Sequence, residues 1–179
     1  MLQGSAVPRT GPLVEVDDDA FVHPSAQMYG KVTLRAGASV WPNTVIRAEQ
    51  HEVVIGARTN VQDFVMIHVG ATTPTVVGED CSITHHVTLH GCAIGDRVLV
   101  GIGATIMDGC VIGENSIIAG GAFLKENTVI PPNSIVAGVP AVVKATRDNS
   151  QANEFNAKLY LENAEGYARG DHRVWANRA

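Results

Sequence analysis

The sequence predicts a mainly β chain, wound as a solenoid of short stacked strands and closed by a C-terminal helix. Three observations predict it. Aliphatic residues recur at every sixth position, hydrophobic residues make up 45% of the 179 while aromatics supply only 5%, and glycine is frequent at 18 residues. Apolar content drawn from Val, Ile, Leu and Ala suits many thin strands better than a bulky core. Glycine suits tight turns. The length is ample for one buried core.

The six-residue rhythm runs through Val22, Met28, Leu34, Val40 and Ile46. It resumes after a break at Ile55, Val61 and Ile67, and after a second break at Val77, Ile83 and Leu89. Following one five-residue step it continues through Ile94, Val100, Ile106, Ile112, Ile118, Leu124, Ile130 and Val136. A helix repeats at 3.6, and the alternation of a flat sheet singles out no sixth residue. The next position is often small, as at Gly56, Gly78, Gly95, Gly101 and Gly113, which fits a corner where coils stack closely. Each hexad therefore reads as a strand plus a corner, with three hexads to a coil. About six to seven coils, stacked about 4.8 Å apart, occupy residues 13–141.

A solenoid admits insertions only at corners, so the breaks at 47–54 and 68–76 read as outside loops, where function tends to sit. Residues 1–12 read as an N-terminal arm, and 142–179 as a linker (142–149), a helix and a tail. Over 150–169, Ser150 is the expected N-cap, Phe155, Leu159, Asn163 and Tyr167 the stripe packed on the solenoid, and Gly170 the stop. In the tail, Val174 and Trp175 are the residues able to dock.

Net charge is −5 with no basic run, which excludes an electrostatic footprint for nucleic acid. Neither the N-terminus nor any other segment is apolar and long enough to read as a signal or membrane span. A soluble, cytoplasmic protein is expected. The three cysteines, Cys81, Cys92 and Cys110, form no CxxC pair and read as small buried apolar side chains of a reducing compartment.

Of seven histidines, His68, His85, His86 and His90 cluster in the chain. His68 follows the core residue Ile67 and His90 follows Leu89, so both take the corner position that is elsewhere small. Any one of these alone reads as a plain corner residue. His68, His85 and His90 together read as three nitrogen ligands with a fourth position open to water, the pattern of a catalytic zinc site. Such a site lowers the pKa of its water to about 7. Because His85 and His90 are five residues apart, they do not point to one place within one coil. A site shared between neighbouring prisms under closed symmetry resolves this. His86 reads as exposed or as a supporting residue, and His51 as a solvated loop residue able to shuttle protons.

The stretches VWPNTVIRAE (40–49), IGARTNVQDFVMIHV (55–69), ITHHVTLHGCAIGDRVLVGIGATIMDGCVIG (83–113) and VIPPNSIVAGVPAVVK (129–144) resemble the gamma-class carbonic anhydrase family of hexapeptide-repeat proteins. The resemblance covers nearly all of residues 13–170. It implies a left-handed parallel β-helix and a homotrimer with interfacial zinc, Fe2+ or Co2+ being other metals that imidazoles accept. His68 and His90 would come from one subunit and His85 from its neighbour. It further implies that Gln62 stands near the metal-bound water, that Arg47 and Asp63 pair across the interface, that Asn60 supports, and that Tyr160 matches an active-site tyrosine. The family's Arg-Gly-Asp stands here as Arg47-Ala48-Glu49, one methylene longer at the carboxylate. The long acidic loop that shuttles protons in the best-studied branch of the family is missing, and Thr84 replaces a glycine before His85.

The function expected first is reversible hydration of carbon dioxide by metal-bound hydroxide, oriented by Gln62, with Glu49 or His51 moving protons. An acyltransferase using acetyl-CoA is the alternative on the same solenoid, needing one histidine as base and no metal. A divergent dehydratase or thioesterase on the same metal site, and a structural trimer with a vestigial site, are the others.

Overall fold

A computed structural model describes residues 9–176. The hexad aliphatics stand in three buried columns, one for each wall of a triangular parallel β-solenoid of about seven turns. The first wall stacks Phe21–Val22, Ser39–Val40, Asn60–Val61, Ser82–Ile83, Leu99–Val100, Ile117–Ile118 and Ser134–Gly138 in parallel register. Its core column is Val40, Val61, Ile83, Val100, Ile118 and Val136, each fully buried. The second wall carries Met28, Ile46, Ile67, Leu89, Ile106 and Leu124, and the third Leu34, Ile55, Val77, Ile94, Ile112 and Ile130. Hydrogen bonds between coils satisfy the backbone from coil to coil.

The tight corner lies two residues beyond the small position expected to make it. On the third wall Gly37, Arg58, Asp80, Arg97, Asn115 and Asn133 all hold the left-handed conformation, with φ between 52° and 66°. Gly56, Gly78, Gly95 and Gly113 are small for another reason. They stack on one another, and a Cβ at Gly95 would stand 2.8 Å from the Glu114 backbone nitrogen. On the first wall the position is small only in the last three coils, at Gly101, Ala119 and Ala137. On the second wall the same position holds Tyr29, Arg47, His68, His90, Met107 and Lys125. The two histidines therefore replace no glycine. They stand on an edge whose every coil presents a large side chain.

Residues 47–54 are not the outside loop expected. They lie within one long strand, Val45–Ile55, that turns the corner from the second wall to the third beside Gln27–Leu34. Pairing passes from Gly30↔Ala48 to Lys31↔Glu52, so Glu49, Gln50 and His51 form a bulge in an otherwise paired strand. Gly30 is required here: its φ is +82°, and a Cβ would collide with the Ala48 carbonyl. The second break does form a loop, between Met66–His68 and Thr75–Val77. The Gly70 N–H donates to the Thr73 carbonyl at 2.9 Å, and the Thr75 hydroxyl to the His68 carbonyl at 2.6 Å.

Of the N-terminal segment, residues 1–8 lie outside the described residues, while Arg9 to Gly11 pair with Met28. Residues 142–149 do not form a plain linker, because Ala141–Thr146 returns antiparallel along Ser134–Gly138. The helix is Ser150–Ala168, and its N-cap is Asn149 rather than Ser150, whose N–H is taken by the Asp148 carboxylate at 2.9 Å. It runs back along the first wall on Asn153, Ala157, Tyr160, Ala164 and Tyr167. Asn153 donates to the Arg97 and Ser116 carbonyls, Asn156 donates to Ser82 Oγ, and Tyr160 and Tyr167 pack on Trp41. The expected stripe through Phe155 is corrected, since that ring is 63% exposed. A step of four throughout drifts round the helix, whereas alternating steps of four and three hold one face. Gly170, at φ +79°, stops the helix as expected. Val174 lies against Gly166, whereas Trp175 is largely exposed, and residues 177–179 lie outside the described residues.

Candidate metal centre

Arg47, His68 and His90 follow the second-wall column in three successive coils and pair in register, Arg47↔His68 and His68↔His90. In-register stacking alone thus brings together two imidazoles that are 22 residues apart. Their rings are 5.0 Å apart and tilted by 57°, with His68 Nδ1 and His90 Nε2 3.1 Å apart. Gln50, Val69, Gly70 and Ala71 line the same cleft.

A carboxylate fixes each ring from its other side. Glu49 Oε2 lies 3.0 Å from His68 Nε2, and Asp108 Oδ2 lies 2.8 Å from His90 Nδ1. An ionised carboxylate only accepts, so each of those nitrogens carries the proton. The other nitrogens of the two rings, His68 Nδ1 and His90 Nε2, face each other within hydrogen-bonding distance. Glu49 is braced by Arg47 at 2.6 Å. Its partial burial would raise its pKa, but its own backbone N–H, His68 and Arg47 outweigh that and hold the carboxyl below the ordinary range.

His85 sits on the other side of the second wall, in the turn after Ser82–Ile83. Its Nδ1 is 3.1 Å from Asp63 Oδ2, which leaves Nε2 free. Gln62, Thr84, Leu99, Ile102, Asn156 and Tyr160 line the cleft beside it. Gln62 is buried and donates from Nε2 to Asn60 Oδ1 at 2.9 Å, while Asn60 donates to the Cys81 carbonyl and to Ser82 Oγ. Burial, with Asp63 and Tyr167 adding to it, raises the pKa of the Tyr160 hydroxyl and keeps it a donor.

The expected site residues thus fall into two groups on one chain: His68, His90, Arg47 and Glu49 on one edge, and His85, Gln62, Asp63, Asn60 and Tyr160 on another. Among the described residues no three His, Cys, Asp or Glu side chains gather to hold an ion within one chain. Arg47 and Asp63 do not meet within it either. Their partners here are Glu49 and His85. His51 Nε2 donates to the Ala71 carbonyl at 3.2 Å. His86 is exposed and stacks flat on Phe64, with ring centroids 5.0 Å apart. The cysteines are buried, and burial pushes Cys81 and Cys92 up to about 12, so they are not thiolate ligands. Sequence reasoning missed Asp108. Its signal was its place, two residues after the core Ile106 and one coil beyond His90.

Fold and site together define a hexapeptide-repeat β-solenoid with carboxylate-held histidines along one edge. Residues 91–126 match the family described as bacterial transferase hexapeptide (six repeats). A Bacillus cereus protein, described provisionally as an acetyltransferase, is 32% identical with a TM-score of 0.84, over 87% of this chain and 92% of that one. A hexapeptide transferase family protein from Anaplasma phagocytophilum is 30% identical with a TM-score of 0.83, over 88% and 96%. Gamma carbonic anhydrase 1, mitochondrial, of Arabidopsis thaliana is 39% identical over 99 residues, 52% of this chain and 36% of that protein. Protein YrdA of Escherichia coli (strain K12) is 43% identical over 108 residues, 56% and 55%. The chain belongs to the hexapeptide transferase family of hexapeptide-repeat proteins, and over about half of its length it is similar to gamma carbonic anhydrases. It spans between about a third and about half of the length of these curated relatives. Among the described residues no helix is long and apolar enough to cross a membrane.

Proposed function

We propose that the chain is a metal-dependent lyase of the gamma carbonic anhydrase type, hydrating carbon dioxide reversibly at a site completed between copies in a homotrimer. One observation carries this reading: His68 Nδ1 and His90 Nε2 face each other at 3.1 Å, while a carboxylate stands at the other nitrogen of each ring and draws its proton there. Two lone pairs so placed repel unless something positive lies between them. Two imidazole nitrogens on a tetrahedral zinc, each about 2.0–2.1 Å from it, stand about 3.3 Å apart. The donor pair therefore fits the ion, and a neighbouring copy's His85, with Nε2 free, is the natural third ligand. Zinc suits this set best, and Fe2+ and Co2+ share its chemistry.

When bound, the cation supplies the Lewis acidity that makes hydroxide available near neutral pH. The chain's own residues do the rest. The Gln62 amide nitrogen is held by Asn60, so its carbonyl oxygen is the group left to accept a proton and orient the nucleophile. Tyr160 donates from the same cleft. Glu49, ionised at neutral pH, holds the His68 Nε2 proton and receives protons at the mouth of the cleft. A second reading, acyl transfer from acetyl-CoA, is favoured by the likeness to the Bacillus cereus protein. It needs one histidine base and leaves the three carboxylate-held imidazoles unexplained.

Elemental analysis, stopped-flow hydration of carbon dioxide and calorimetric titration with coenzyme A test the readings on one preparation. About one metal per chain, with hydration that a chelator abolishes, is the expected result. Metal-free protein with saturable coenzyme A binding favours the acyltransferase. Metal without hydration moves the proposal to dehydration or thioester hydrolysis at the same site.

A further inference from the structure

We infer that Asp108 is a positioning residue for metal capture, fixing the tautomer of His90 so that Nε2 is presented bare to the ion. This rests on the metal reading proposed above. Asp108 leaves the second wall one coil beyond His90, and its carboxylate leans back 2.8 Å from His90 Nδ1. The position beneath it in the preceding coil is Gly91, at φ +56°, and a Cβ there would stand 2.7 Å from Asp108 Oδ1. A Cβ on Gly70 would collide with the same oxygen. The carboxylate thus needs two glycines at once. Gly91 lies within the one five-residue step of the repeat, and Gly70 within the 69–74 loop. Two departures from the hexad rhythm border this carboxylate and make its room. The Thr73 hydroxyl, buried and without a hydrogen-bond partner, closes the same cradle.

Neutral imidazole exchanges its proton between two nitrogens, and only one tautomer leaves Nε2 free for a metal. A carboxylate on the opposite nitrogen selects that tautomer and raises the basicity of the ligand. Partners of this kind are worth about 10–100-fold in metal affinity. The test uses the full chain as D108A and D108N, with zinc affinity from competition with a chromophoric chelator. The His90 tautomer is read from long-range 1H–15N spectra of the metal-free protein. Expected for D108A is a 10–100-fold weaker zinc affinity and loss of the single Nδ1–H tautomer. D108N keeps an accepting oxygen and recovers most of both. Wild-type affinity in D108A overturns the inference. So do equal losses in D108A and D108N, which would mean a structural role. If wild-type protein binds no metal, the function proposed above fails, while the tautomer spectra still decide whether Asp108 orients His90.

Discussion

From Ile94 to Val136 the chain keeps its six-residue step throughout, while from Ile46 to Ile94 it breaks that step three times. Both stretches build the same three walls with the same buried columns. The regular stretch is a lattice in which each coil repeats the hydrogen bonds of the last, and its core is interchangeable aliphatic packing. The irregular stretch holds Glu49, Asp63, His68, His85 and His90. A strict repeat stacks like positions in parallel, as it stacks Arg97, Asn115 and Asn133. The bulge at 49–51, the loop at 69–74 and the shortened corner at Gly91 each supply a carboxylate or the room for one. The carboxylates and imidazoles are thus gathered toward one part of the solenoid's axis, and from the regular stretch Asp108 adds a carboxylate while Leu99 and Ile102 line the cleft beside His85.

The largest effect that sharpens this contrast is expected from His90→Ala. It should abolish metal retention and lower hydration by about 10³-fold or more, roughly 4 kcal/mol of transition-state stabilisation, with circular dichroism unchanged. Retained metal would break the contrast. Ile118→Ala, in the regular stretch, should cost about 2–5 kcal/mol in urea unfolding yet leave metal stoichiometry alone. Gln62→Leu keeps the ion but loses the oriented acceptor, so kcat should fall about 10–100-fold, as removal of one positioned group does, with zinc affinity near wild type.

The cysteines probe burial itself. Native Cys81 and Cys92 should resist a thiol reagent at pH 8 and react once urea unfolds the chain. Their folded thiol pKa, about 12, exceeds the ordinary unfolded value. The protonated thiol therefore favours the folded state fully below about pH 8.5, and that contribution declines as pH rises toward 12. Stability that stays flat from pH 9 to 11 would contradict this. Smallest of all, Phe155→Ser should change stability by no more than about 0.5 kcal/mol, as exposed positions do. A larger loss would restore the helix stripe first expected.

Much of this was legible in the residues themselves, for a local reason. Each strand and corner is specified within six residues, so the core columns, the coil count and the place of the histidines follow from spacing. The bulge did not, because an insertion in a repeat reads alike whether it loops out or stays paired. Pairing of Val45–Ile55 with Gln27–Leu34 depended on Gly30 in a neighbouring coil. Nor did the helix face, since Asn153 and Asn156 dock through hydrogen bonds to Arg97, Ser116 and Ser82, which apolar periodicity cannot register.

The amino-acid order alone determined that this chain winds as a solenoid and that His68 and His90 share an edge, because both are consequences of a fixed step. Tertiary structure alone decided which nitrogen each imidazole presents. That choice belongs to Glu49, Asp63 and Asp108, which lie some 18 to 22 residues from their histidines and reach them across stacked coils. A hydrogen bond between coils depends on how the coils stack, and only the folded chain sets that.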